Sequence, residues 1–268
     1  MATTVVRVAT TASLFCMLLQ GISAHPGHQQ SVLDNDNCPT GVHIVGVRGT
    51  LEKPGFGALQ EIVDDLLKEL PGSDSFPIDY PASGIVVDPE TNETQYRFAQ
   101  YSASKNEGYN ALALEIKEFA NKCPETGIVL MGYSQGAHVV GDSLCGVRPG
   151  LFWPHFPIPS EYLESVRAII QLGDPTNTRN LAWHAGNSTK GGIFPRQTFA
   201  QCKHFGDIWR SYCDKDDFFC DRGNSITVHM GYVQRYKEDI VDFIVKNVKQ
   251  AEGRTGRTFH FDTSETDL

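Results

Sequence analysis

The run IVLMGYSQGAHVVGDSLC, residues 128 to 145, limits what this chain can fold into more than any other stretch. With Gly127 ahead of it, its first part is a short continuous apolar run, the pattern of a strand buried on both faces of a parallel sheet. A helical pattern follows at once, with no loop between. At the junction stand Gly132, Tyr133, Ser134, Gln135 and Gly136, a G-x-S-x-G sequence. Three fixed residues at ~7% abundance each match by chance in roughly one chain in ten of this length, so the bare motif weighs little. Its setting weighs more. A strand passing straight into a helix makes a strained elbow that lifts a serine hydroxyl above the sheet, and glycines let the turn approach neighbouring backbone. The alternative is a tight turn whose serine is incidental.

Apolar runs alternate with helical patterns from about residue 42 to 249, which predicts an α/β fold with helices covering a parallel sheet. VHIVGVRG (42 to 49), FPIDYPA (76 to 82), GIVLMGYS (127 to 134), VRAIIQLGDP (166 to 175) and DIWRSYC (207 to 213) are the strand candidates. Helical spacing marks Leu59 to Leu70, Leu112 to Phe119 and a closing helix through Val233, Tyr236, Ile240 and Ile244. Residues 1 to 24 read as a secretory signal peptide: one arginine, an apolar run, then small residues ending at Ala24. One domain is expected over 38 to 250, between mobile segments at 25 to 37 and 251 to 268.

The formal net charge is -9, and -10 once Arg7 leaves with the signal, so polyanions are repelled and nucleic acid is not an expected partner. No segment after the signal is long and apolar enough to span a membrane. Of seven cysteines, all but Cys16 remain after cleavage, and an even count in a secreted chain points to disulfides. Their spacing does not match a zinc site, and the ring CDKDDFFC (213 to 220) lacks the glycine and final glutamate of a calcium loop. No metal or cofactor is expected. NET at Asn92 and NST at Asn187 are glycosylation sequons.

A serine nucleophile needs a base, and the base an orienting acid, which in this architecture follow the serine in the order acid, then histidine. His138 lies one helical turn past Ser134 and would point away from its hydroxyl, as a packing or surface residue. His260 lies in the tail. His229, just before the closing helix, sits in a late loop able to reach back over the strand ends, and order makes it the candidate base. Two acids compete: Asp174 in LGDP and an aspartate of the ring, and the residues alone leave this open.

Together VRGTLEKPGFG, IDYPA, CPETGIVLMGYSQGAHVVGDSLCG, QLGDP, YCDKDDFFC and HMGY, in this order, resemble the cutinase and fungal acetylxylan esterase family of secreted serine esterases. The likeness runs over about residues 38 to 249. It implies a three-layer α/β/α sandwich with a central parallel sheet of about five strands, α/β-hydrolase-like and without a lid. In that family the acid stands four residues after one bonded cysteine and three before the next, which selects Asp217 and leaves Asp214 and Asp216 solvated. The base is the histidine of H-x-x-Y, here His229 with Tyr232. The nucleophile is Ser134, and the oxyanion hole is built from the Gln135 N-H and from Thr50. Asp174 becomes a turn former. The implied disulfides are Cys38 with Cys123, Cys145 with Cys202 and Cys213 with Cys220. By chain entropy the first stabilises by about 4.5 kcal/mol and the last by about 2.5, so the small ring serves geometry more than stability.

The same likeness implies hydrolysis of carboxylic esters of plant cell-wall polymers, with acetylated xylan ahead of cutin as substrate, by a monomer. PGFG, Cys145, Cys202 and RGNS favour the deacetylase, while Ala82 and Asp221 replace cysteines found in some acetylxylan esterases. Met230, beside the base, suits an acyl chain. Trp153, with Phe152 and Phe156, and Trp183 are read as core or loop anchors, with a sugar-stacking platform as the alternative. A rival of another class is a non-catalytic secreted carbohydrate-binding or host-interacting protein.

Overall fold

A computed structural model describes residues 38–87 and 94–253 of the chain. The expected signal peptide, the segment 25–37, the sequon at Asn92 and the tail beyond residue 253 lie outside the described residues. In chain order the strands are β1 (Val42–Val47), β2 (Asp74–Pro77), β3 (Ile85–Val87), β4 (Thr94–Tyr96), β5 (Gly127–Tyr133), β6 (Val166–Leu172), β7 (His184–Ala185) and β8 (Trp209–Tyr212). The helices are α1 (Gln60–Glu69), α2 (Phe98–Lys122), α3 (Gln135–Cys145), α4 (Ile226–Met230) and α5 (Tyr232–Glu252). All strands but β3 and β4 join one sheet in the order β2, β1, β5, β6, β8, β7, with neighbouring pairs parallel. β3 and β4 form a separate antiparallel pair.

Alternation along the central strands explains the three layers. On β5, Ile128 and Leu130 face a core shared with Leu112, Ile116 and Phe119 of α2 and Val139 of α3. Val129 and Met131 face the opposite core, with Ile62 and Leu66 of α1 and Ile240 and Ile244 of α5. Period-two strands thus bury both faces, and each of these side chains adds roughly 1.5–3 kcal/mol of burial. The order reverses between β1 and β5, because the chain first moves outward to β2 and then returns to build the other half. In parallel sheets the crevice beyond the carboxyl ends of two such strands is where sites form.

Four details differ from the sequence reading. The sheet has a sixth strand, β7, only two residues long, held by Trp183 O accepting from Ser211 N at 2.8 Å and Ala185 O accepting from Cys213 N at 2.9 Å. No apolar run announces so short an element. β2 begins two residues ahead of FPIDYPA and ends within it at Pro77, which lacks an N-H and is tolerated on a sheet edge. α2 begins at Phe98, well before the Leu112 stripe, because its first half buries Ser102, Ser104 and Lys105 rather than aliphatic residues. α5 continues to Glu252, so residues 251 and 252 are helical and not tail.

Candidate active site

β5 ends at the elbow. Ser134 has φ 53° and ψ -113°, outside the regions that side chains favour, a conformation that costs ~1–3 kcal/mol and persists only where its surroundings fix it. Here they do. The Ser134 N-H donates to Leu172 O on β6 at 2.8 Å, and Ser134 O accepts from His138 N at 3.1 Å as α3 begins. A Cβ on Gly132 would lie 2.5 Å from Gly136 O, and one on Gly136 would collide with the Val47 carbonyl, so both glycines of the motif are sterically required. The close approach at Gly136 also joins the elbow to the end of β1, just before Thr50.

Two segments that follow β8 complete the constellation. His229, on the short helix α4, brings Nε2 to 3.0 Å from Ser134 Oγ and Nδ1 to 2.9 Å from Asp217 Oδ2. α4 is started by Ser225, whose Oγ accepts the Val228 N-H at 3.1 Å. Asp217 is fully buried in the ring that follows β8. Its Oδ1 accepts the N-H groups of Phe219 and Cys220 at 2.7 and 2.8 Å, and its Oδ2 also accepts the Tyr232 hydroxyl at 2.8 Å. Burial pushes the carboxyl up. The hydrogen bond and charge of His229, the Cys220 N-H and the Tyr232 hydroxyl outweigh it and hold the group below its ordinary value. An anion so held fixes the imidazole with Nδ1-H toward Asp217 and leaves Nε2 able to accept the serine proton.

Three neighbours of this set were not singled out by sequence. Gly173, after β6, has φ +62°, and a Cβ there would lie 2.7 Å from the His229 ring. Tyr133 stacks on that ring, centroids 5.5 Å apart, and donates its hydroxyl to His229 O at 2.9 Å. Phe219 packs 4.6 Å from it on another side. Only Gly173 carried a signal, in the LGDP turn at the end of a strand.

The Gln135 N-H is the first of α3 and has no acceptor within the helix. Its side chain is turned away, donating to Ser83 O and accepting from Ser104 Oγ, both at 2.8 Å. Thr50 is half-buried in a turn beyond β1. Arg48 shapes that turn, donating to Glu52 O at 3.1 Å, Ile78 O at 3.1 Å and Tyr80 O. The Glu52 carboxylate accepts from Gly49 N at 2.5 Å and Ala58 N at 2.8 Å.

Disulfides join Cys38 to Cys123, Cys145 to Cys202 and Cys213 to Cys220. Within the last ring Asp216 is exposed, but Asp214 is not solvated: it is 6% exposed and accepts from Arg235 Nε at 2.8 Å and Tyr236 OH at 2.6 Å. Arg235 and Tyr236 sit on the closing helix α5, outside the ring sequence. Asp174 accepts from Thr176 N and Oγ1 at 2.8 Å and from Gln171 at 3.0 Å in a buried turn, while the His229 ring nitrogens pair with Asp217 and Ser134 instead. His138 is buried and packs edge-on against Phe152. Trp183 stacks on Trp209 in the core, whereas Trp153 is 58% and Phe156 88% exposed. Asn187 is exposed. Among the described residues no group of three or more His, Cys, Asp or Glu is arranged to hold a metal ion. No described helix is long and apolar enough to cross a membrane.

The Cutinase family model matches residues 37–248. Acetylxylan esterase 2 of Talaromyces purpureogenus is 31% identical over 236 residues, 87% of this chain and 97% of the relative. Cutinase 11 of Verticillium dahliae is 31% identical over 216 residues, 80% of this chain and 71% of the relative. Among solved structures, the catalytic core of acetyl xylan esterase from Trichoderma reesei aligns with a TM-score of 0.67 at 33% identity, covering 77% of this chain and 98% of that one.

Proposed function

The chain belongs to the cutinase family, and from that premise we propose that it is a secreted serine esterase which deacetylates acetylated xylan through Ser134, His229 and Asp217. Membership makes it a carboxylic ester hydrolase. The observation that carries the mechanism is the unbroken relay of 3.0 Å from Ser134 Oγ to His229 Nε2 and 2.9 Å from His229 Nδ1 to Asp217. Ser134 attacks the ester carbonyl while His229 takes its proton, and the Gln135 N-H with donors from Thr50 receives the oxyanion. Collapse gives an acetyl-serine as His229 returns the proton to the sugar hydroxyl. Water then enters by the same route in reverse, and acetate leaves. Losing one oxyanion donor costs ~100-fold to 1,000-fold in turnover.

Deacetylation is preferred because the match spans 97% of Acetylxylan esterase 2 and 98% of the catalytic core of the Trichoderma reesei acetyl xylan esterase. Cutin hydrolysis is the second reading, favoured by Met230, 61% exposed directly after the base, where an acyl chain would lie. Acetate release from acetylated xylan, set against cutin cleavage and p-nitrophenyl esters of rising acyl length, separates them. Preference for long acyl chains would reject the deacetylase. Failure of a serine-directed phosphonate to label Ser134, with no p-nitrophenyl acetate turnover, would reject both and favour a binding protein.

A further inference from the structure

The sequon at Asn187 opens onto the back of the catalytic-acid ring, and we propose that Asn187 carries an N-linked glycan whose first sugar seats in the polar cavity there. This rests on the secreted reading given above, since the donor is met only on that route. Three observations support it. Asn187 is exposed, and its Oδ1 accepts the Lys215 N-H at 2.7 Å, while no described residue accepts from its Nδ2. The residue lines an open cavity of about 450 Å³ together with Lys190, Lys215, Asp216 and Val228. That volume lies within the ~300–1,000 Å³ of small-ligand sites. Ammonium and carboxylate groups suit sugar hydroxyls, and half-buried Val228 suits an acetamido methyl. Finally, the sequon loop is stapled to both ends of the ring. Ser188 N donates to Cys213 O at 2.9 Å, and Thr189 N and Lys190 N donate to Asp221 Oδ1 at 2.9 and 2.7 Å.

The step is a glycosyl transfer from a lipid-pyrophosphate-linked oligosaccharide. A bond forms between Asn187 Nδ2 and sugar C1, the C1-O bond to pyrophosphate breaks with its electron pair, and the nitrogen gives up one proton. Transfer precedes folding, so the folded chain has only to leave the product room, as this cavity does. Once seated, the sugar bridges Lys215 and Asp216 on the ring to Asn187 and Lys190 on the loop, and so restrains the segment that carries Asp217.

The test uses the full chain made in a eukaryotic secreting host and recovered from medium and cells alike. Peptide-N-glycosidase should convert Asn187 to Asp in the tryptic peptide Asn180 to Lys190; an unmodified Asn187 overturns the proposal. Thr189→Ala removes the sequon and keeps the backbone bonds, while Thr189→Ser retains it. Amide exchange in residues 213 to 225 should be about threefold or more faster in Thr189→Ala than in wild type and unchanged in Thr189→Ser. Equal exchange with an occupied Asn187 overturns the seating. Turnover of p-nitrophenyl acetate should persist in every variant. Its absence from all would count against the esterase reading and leave the glycan result standing.

Discussion

The ring aspartates divide by what their oxygens touch. Asp217→Asn should lower kcat ~10,000-fold in a folded protein, since an amide presents the wrong partner to His229 Nδ1. Asp216→Asn should stay near wild type, its carboxylate being exposed and, among the described residues, bonded only to the Asn224 N-H at 2.9 Å. Asp214→Asn should keep its turnover but lose about 1–3 kcal/mol in urea unfolding, because Arg235 and Tyr236 bond to different carboxylate oxygens and the amide keeps only one acceptor and no charge. If Asp214→Asn instead matched Asp217→Asn in kcat, the assignment of the acid would be wrong. Gly173→Ala tests geometry without changing the identity of any reacting group. A methyl at 2.7 Å from the imidazole displaces His229, and turnover should fall ~100-fold with far-ultraviolet dichroism unchanged. Residues were legible to the degree that their reasons are local. Ser134 is announced by the strand, elbow and helix on either side of it. Asp217 and Asp174 look alike from their neighbours, and only the family spacing separates them. Gly173 is fixed by a ring on α4, so nothing adjacent to it explains it.

At the level of elements, α3 is the least expected. All of its residues are buried, including His138 and Asp142, so it has no solvated face. Asp142 is held by Lys105 Nζ at 2.6 Å from α2 and by Arg196 Nη1 at 2.7 Å from the segment after β7. Charges buried on three segments leave no periodic stripe, which is why the first half of α2 was invisible while its aliphatic second half was plain. Burial pushes His138 down to about 3, with the cations Lys105 and Arg196 adding to the effect and Asp142 opposing it. The unfolded chain therefore binds a proton near the ordinary 6.5 that the native state refuses, so stability falls as pH drops from 6.5 toward 3. His138→Gln should lose less stability than wild type across that window in denaturant titrations at stepped pH. An identical slope in the two proteins would show that the imidazole does not contribute.

For the molecule as a whole, three disulfides close loops of very different size, with sequence separations of 85, 57 and 7. Opening the first by Cys38→Ser with Cys123→Ser should lower stability by about 4–5 kcal/mol with kcat kept at temperatures where the protein stays folded. Opening the small ring by Cys213→Ser with Cys220→Ser should cost about 2–3 kcal/mol yet lower kcat by at least ~10-fold, because Cys220 N is one of the donors aligning Asp217. Equal losses of activity in the two would refute the division of labour. The alternation of elements made the layered architecture legible. The two-residue strand β7 was not, because its pairing comes from β8 rather than from its own sequence.

The reversal of strand order between β1 and β5 has a temporal side. Ser134 and His229 are 95 positions apart, and the acid and base both lie beyond the last strand of the sheet. A chain emerging from the ribosome exposes the proposed nucleophile Ser134 well before the proposed base His229, at ~5–20 residues per second. On the proposed assignment the nascent chain is therefore silent toward esters until the segment after β8, which carries Asp217 and His229, has packed against the sheet.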